Sequence, residues 1–278
     1  MTMERLRRTY HAEICKQVLG YRSGVPNVAD KDSRRSVQLA EGIISCIGFP
    51  PCTKPPSGQR AGAQFEALTR HYLQEAFSVL EHLRPGDWVF SVHGDLAAFE
   101  QYEHLQNLEQ ILGQHPSLRA TLGDYMVKPD ILVGRSPVLD SQINQDSDIV
   151  EGQIATLTPL RARNSPGSRP VLHASISCKW TIRSDRSQNA RTEGLNLIRN
   201  RKGNTPHIVM VTAEPLPSRI ASVALGTGDI DCVYHMALYE LADAVNQVGD
   251  ETLTDMYNLL VDGKRLRDIS DLPFDLAI

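Results

Sequence analysis

Cysteine is too sparse in this chain to build a framework: five of 278 residues, Cys15, Cys46, Cys52, Cys178 and Cys232, with no Cys-x-x-Cys pair among them. An odd, scattered set argues against disulfide scaffolds and zinc knuckles, and it fits a reducing cytoplasm. Nowhere do eighteen apolar residues run together, so no membrane span is expected. The basic start, MTMERLRRTYHAEICKQVL, lacks the continuous apolar stretch of a secretory signal. The nine histidines have no metal-ligand spacing, and Gly226-Thr227-Gly228 lacks the rest of any nucleotide-loop fingerprint and reads as a turn. There is no excess of positive charge either. Lys and Arg number 29 against 33 Asp and Glu, a net charge of -4, so any affinity for polyanions must rest on local charge.

What is present has a clear order. The length suits one large domain over 1–278, with N-terminal helices at about 1–58 as an attached layer. Apolar spacing predicts helices over 5–19, 34–47, 59–83, 98–113, 187–201, 236–247 and 251–262, with a shorter one after Pro116. Strands are predicted at 88–92, 129–133, 171–180, 207–212 and 232–234. The polar segment 136–170 reads as a loop with one short strand. The nearly continuous apolar run of 207–212 suggests a central strand covered on both faces. Strand, helix and strand in succession predict an α/β fold with a mixed central sheet flanked by helices.

Asp130 opens one strand, Lys179 closes another, and Glu193 lies on the next helix among Ala190, Leu197 and Ile198, which mark its inward face. An inward carboxylate is costly unless it is paired or holds a metal. Two converging carboxylates form a hard-oxygen site suited to Mg2+. A lysine beside them can bind a phosphate oxygen, and the set supplies what phosphodiester hydrolysis needs. Each residue also has a plainer reading. Asp130 could be a turn residue, Lys179 a snorkelling strand end, and Glu193 a partner for Arg186, Arg191 or Arg199.

The corner Arg183-Ser184-Asp185-Arg186 is less easily explained that way. Arginine at a helix start opposes the macrodipole, which points to an external anionic partner. In the major groove arginine reads guanine O6 and N7, while aspartate accepts from cytosine N4. Over 183–202 six basic residues face two acidic ones, in a chain that is negative overall. That concentration is the footprint of a phosphate backbone. Cys178 alternates away from Ser177 and Lys179 and reads as a buried structural cysteine.

The segment HASISCKWTIRSDRSQNARTEGLNLIRNRKG, followed by PHIVMVTAEPLPSRIASVALGTGDIDCVYH, resembles type II restriction endonucleases of the CCGG group. The likeness extends to GQRAGAQFEALT, LRPGDW, the Pro129-Asp130 strand and GKRLRDISDLPFDLA; it is strongest over 171–240 and weakest over 1–30 and 134–168. It implies a PD-(D/E)xK nuclease fold in which Ser177 replaces the acidic residue two before the lysine and Glu193 takes over its role. By the same resemblance Asp130, Lys179, Glu193, Glu66 and Ser177 are the catalytic set. Asp130, Glu193, Glu66 and the Cys178 backbone carbonyl would hold Mg2+, with Mn2+ as a substitute and Ca2+ supporting binding without cleavage. Arg183, Asp185 and Arg186 would read the inner CCGG, with Ser184 and Arg191 beside them. Arg219 and Asp30 match readers of the outer pair. Where the family has a small polar residue two positions after Asp30, this chain has Asp32. The implied target is GCCGGC, cut after the first G to leave 5′-CCGG overhangs. The resemblance further implies a homotetramer of two dimers, a bacterial cytoplasmic setting, and a cognate DNA methyltransferase as counterpart.

Two other classes of reading use the same residues. A non-cleaving DNA-binding protein gains nothing from an acidic pocket beside phosphates. A structure-selective nuclease has little use for an Arg-Asp-Arg base reader.

Overall fold

A computed structural model describes residues 1–122, 128–162, 168–226 and 228–278; the side chains of 109, 119, 121–122 and 184–188 lie outside the described set. Helix α1 (Met3–Gln17) starts at a Thr2 cap and leads into a two-stranded ribbon, β1 (Tyr21–Arg22) and β2 (Val25–Pro26). Ser23 and Gly24 both have positive φ at the ribbon's tip, the geometry of a type I′ hairpin. Helix α2 (Arg34–Ile47) follows, capped by the Ser33 side chain, and then the long α3 (Gly58–Val79).

Among the described residues six strands form one sheet in chain order: β3 (Trp88–Val92), β4 (Ile131–Arg135), β5 (Val171–Lys179), β6 (His207–Thr212), β7 (Cys232–His235) and β8 (Leu266–Asp268). The pairs β3–β4 and β4–β5 are antiparallel, whereas β5 to β8 run parallel. This is the mixed sheet flanked by helices that the element order predicts. Helices α4 (Leu105–Gln114), α5 (Pro116–Leu122) and α6 (Asp140–Ile143) precede β5. The parallel crossovers run through α7 (Ser184–Asn200), α8 (Pro217–Ala224), and the pair α9 (Leu238–Val248) and α10 (Glu251–Asp262); α11 (Leu272–Asp275) ends the chain. One apolar cluster joins Phe65 of α3 to Ile131, Val133, Ile176 and Val209; a second joins Leu132 and Ile208 to Leu197 of α7. Cover on both faces explains the unbroken apolar run of β6.

The structure departs from the predicted elements where tertiary hydrogen bonds outweigh local periodicity. The stretch expected to start a helix at 98 forms two short 3-10 turns, Leu96–Ala98 and Glu100–Tyr102, before α4. There the Gln101 amide is bound to the Leu172 N–H and carbonyl (2.8 and 2.7 Å), and the Glu100 N–H donates to the Pro170 carbonyl (3.0 Å). In place of a short strand within 136–170, the described residues hold α6 and a single bridge between Val138 and Arg161. The ribbon, α8, β8 and α11 are too short for periodicity to signal.

Candidate active site

Register brings the candidate residues together. Because β4 runs against β5, with Ile131 opposite Ile176, the start of β4 and the end of β5 meet at the same sheet edge. Val92 pairs with Ile131, so the end of β3 arrives there too, and the His93 N–H donates to the Asp130 carbonyl (3.1 Å). Asp130 Oδ2 accepts from the Cys178 N–H (2.7 Å) and from Lys179 Nζ (2.8 Å). The helices add the other two carboxylates. Glu66 of α3 is buried and lies 3.1 Å from His93 Nε2. Glu193 of α7 accepts from the Ser177 hydroxyl (3.0 Å). Its depth is set by Gly194, where a Cβ would stand 2.4 Å from the Asp229 carbonyl oxygen, so α7 can lie this close only with glycine there.

Among the described residues Glu66, His93 and Asp130 offer ligand atoms that all lie within 4.8 Å of one another. Glu193 stands on Ser177 instead and acts on this group through charge. Burial raises the Glu66 carboxyl, and the Asp130 carboxylate raises it further. Burial likewise raises Glu193, only partly offset by Lys179 and Ser177. Burial would lower the Lys179 ammonium, but Asp130 and Glu193 outweigh it and hold the amine above its usual value, so it stays charged. Burial pushes the Cys178 thiol far up, as befits a structural cysteine rather than a nucleophile.

Beyond the end of β5 a cavity of about 890 Å³ opens, and Asp30, Asp32, Arg183 and Arg219 line it together with Arg22 of the ribbon and Lys31. Arg219 pairs with Asp30, and that guanidinium, with the Asp32 N–H, holds the Asp30 carboxyl below the usual range. Arg183 is exposed at the start of α7. Arg191 turns toward α8, where its Nη2 donates to the Ser222 carbonyl (2.8 Å) and its guanidinium packs on Gly226. The side chains of Ser184, Asp185 and Arg186 lie outside the described residues, as does Thr227 of the expected turn.

The family model of the NgoMIV restriction enzyme matches residues 10–278. This chain belongs to that family. The type II restriction enzyme NgoMIV of Neisseria gonorrhoeae is 51% identical over 261 residues, covering 92% of this chain and 91% of that protein. The chain is therefore a type II restriction endonuclease, a site-specific deoxyribonuclease. Among solved structures, a restriction endonuclease PspGI–substrate DNA complex aligns with 79% of this chain and 61% of its own, at 14% identity and a TM-score of 0.36.

For this member of the NgoMIV family, three site-lining residues escaped the sequence reading. His93 ends β3 with φ of 50°, a left-handed conformation that a Val-His-Gly turn after a strand could have signalled. Arg22 and Lys31 sit in a stretch that reads only as polar and turn-rich. Their place in the cavity wall depends on the ribbon, which periodicity cannot see.

Proposed function

We propose that this endonuclease cleaves both strands of DNA at G^CCGGC, using Mg2+ held near Asp130, Glu66 and Glu193, and leaves 5′-CCGG overhangs. The observation that carries the reading is the placement of Arg183, Arg219, Asp30 and Asp32 around one cavity, beyond the strand end that bears Lys179. Arginines and an aspartate there can address guanine and cytosine edges while the phosphate lies over the carboxylates.

The donor set fits a hard divalent cation: carboxylate oxygens of Glu66 from α3 and Asp130 at the start of β4 lie together, and Glu193 of α7, held on Ser177, adds its negative charge nearby. Bound there, Mg2+ supplies charge neutralisation and an activated water. The protein's own groups do the rest. Lys179 keeps its proton, orients Asp130 and offers its charge to a phosphate oxygen. Ser177 fixes the Glu193 carboxylate, and the Cys178 N–H fixes that of Asp130.

Self-association is part of the proposal. A palindromic target favours a two-fold dimer. The arm between β4 and β5 presents Ile154 at 76% and Leu157 at 87% exposure, an apolar surface suited to holding two such dimers as a homotetramer. Among the described residues no helix is long and apolar enough to cross a membrane. A cytoplasmic setting and a cognate methyltransferase that protects the host's sites complete the proposal.

A sequenced digest of plasmid DNA in Mg2+, beside an EDTA control, tests the reading. Fragments with 5′-CCGG ends flanked by G and C are expected. Tight binding with no cutting would instead favour the non-cleaving reading. Replacing Arg219 with Ala should cost about 1–3 kcal/mol of discrimination at the outer pair while the inner CCGG requirement persists. Relative cleavage rates on outer-pair variants measure this, and an unchanged preference would remove Arg219 from that role.

A further inference from the structure

Glu214 lies two residues after the end of β6, and its side chain is wholly shielded from solvent. Its Oε2 accepts from the N–H of Ile182, the residue before Arg183 (2.8 Å), and its Oε1 accepts from the N–H of Leu216, which opens α8 (3.2 Å). Arg219 Nη1 lies 3.9 Å from the same Oε2, while its Nη2 holds Asp30. Behind the carboxylate, the Glu214 N–H donates to the Thr212 hydroxyl (3.1 Å), which donates to the Lys179 carbonyl (2.8 Å). One buried group thus touches the backbone of the Arg183 corner, the backbone of the Arg219 helix and the Arg219 side chain.

A purely structural acceptor would not need charge. Two backbone N–H groups can be satisfied by neutral oxygen at far lower desolvation cost. The charge matters for the cation that lies within reach among the described residues, Arg219. We propose that Glu214 is a positioning residue that fixes Arg219 against the Arg183 corner and thereby sets discrimination at the outer base pair. This rests on the assignment of Arg183, Arg219 and Asp30 as base readers.

The groups facing Glu214 are the Thr212 hydroxyl, the Ile182 and Leu216 N–H groups, Arg219, Asp30 behind Arg219, and His235 of β7. Asp30 is held below the usual carboxylate range, and burial holds the His235 imidazole down to about 4. Burial pushes Glu214 up to about 7 against the opposing pull of its N–H partners and Arg219. Glu214 is therefore the member of this group that changes charge near neutrality.

The test is competitive cleavage in Mg2+ of a GCCGGC duplex and an ACCGGT duplex, read as the ratio of rates, so that pH effects on the chemistry common to both cancel. In the unsubstituted enzyme the ratio should fall from about pH 8.5 to about pH 6, as the carboxyl gains its proton. In Glu214→Gln, which keeps the shape but turns an NH2 toward one N–H and removes the charge on Arg219, the ratio should be roughly tenfold or more lower at the higher pH and flat across the range. A Glu214→Gln enzyme with the original ratio overturns the proposal. If that variant does not fold, Glu214→Asp, which keeps the charge but draws it back from Arg219, gives the same test: a ratio equal to that of the unsubstituted enzyme at the higher pH overturns the proposal. An unsubstituted enzyme with no preference for GCCGGC shows that the assignment of the base readers has failed, and the role of Glu214 falls with it.

Discussion

Lys179→Ala and Asp130→Ala should each reduce Mg2+-dependent cleavage on the order of a thousandfold or more, while specific binding to the same duplex in Ca2+ survives. Asp130 does two things in the structure: it accepts the Cys178 N–H and it holds the Lys179 ammonium at 2.8 Å. Removing its carboxylate leaves Lys179 with the more distant charges of Glu193 and Glu66, and strips the proposed cation site of the carboxylate bound to the Cys178 N–H. Binding should outlast the loss because the arginines proposed to read the bases line a separate cavity. Asp130→Asn refines the test, since it keeps the acceptor for Cys178 but not the charge. It should cleave as poorly as Asp130→Ala and bind in Ca2+ at least as well. Gel-shift binding beside single-turnover cleavage on one oligonucleotide measures both, and any of these variants cutting at the unsubstituted rate would displace the residue from the proposed centre.

That the carboxylates and the lysine would meet was legible because they sit at element ends. Asp130 opens a strand and Lys179 closes one, so antiparallel pairing alone brings them to the same edge. His93 reaches that edge by the same logic, but a lone histidine after a strand carries no period and no spacing. Glu66 is different again. Its position on α3 is ordinary for a charged residue in a helix, and only the resemblance singled it out. Glu214 was invisible for a physical reason: its hydrogen bonds come from the backbone N–H groups of Ile182 and Leu216, which leave no trace in side-chain identity, and its ion pair with Arg219 forms only once α8 folds back beside it. The fold shows the same division. Apart from the stretch from 98, the long periodic helices and the apolar strand at 207–212 appear where expected, whereas the ribbon and α8 depend on turns and on contacts with elements far along the chain.

The same long-range dependence makes Asp268 a residue on which stability outside the site should depend strongly. Its carboxylate is fully buried and accepts Arg7 Nε (2.8 Å), Arg7 Nη2 (2.8 Å), the Leu238 N–H (3.0 Å), the Ser270 N–H (2.9 Å) and the Ser270 hydroxyl (2.6 Å). It docks α1 onto the last strand and supplies the N-terminal cap that Ala237 cannot give α9. Asp268→Ala should cost roughly 3–5 kcal/mol, because it orphans buried N–H groups as well as an ion pair. Glu240, the other partner of Arg7, is partly exposed and leaves Arg7 paired with Asp268 when removed, so Glu240→Ala should cost only about 1 kcal/mol. Denaturant unfolding of the two variants at neutral pH measures the gap. The pH dependence separates charge from packing. Burial would raise the Asp268 carboxyl, but Arg7 and Ser270 hold it below its ordinary value. Its electrostatic contribution is therefore complete above about pH 4, the unfolded value, and is lost as pH falls through the lower folded value. The stabilities of the unsubstituted protein and Asp268→Ala should converge on acidification. A gap that stays constant down to the point of acid unfolding would mean that the aspartate stabilises the fold through packing rather than through its charge.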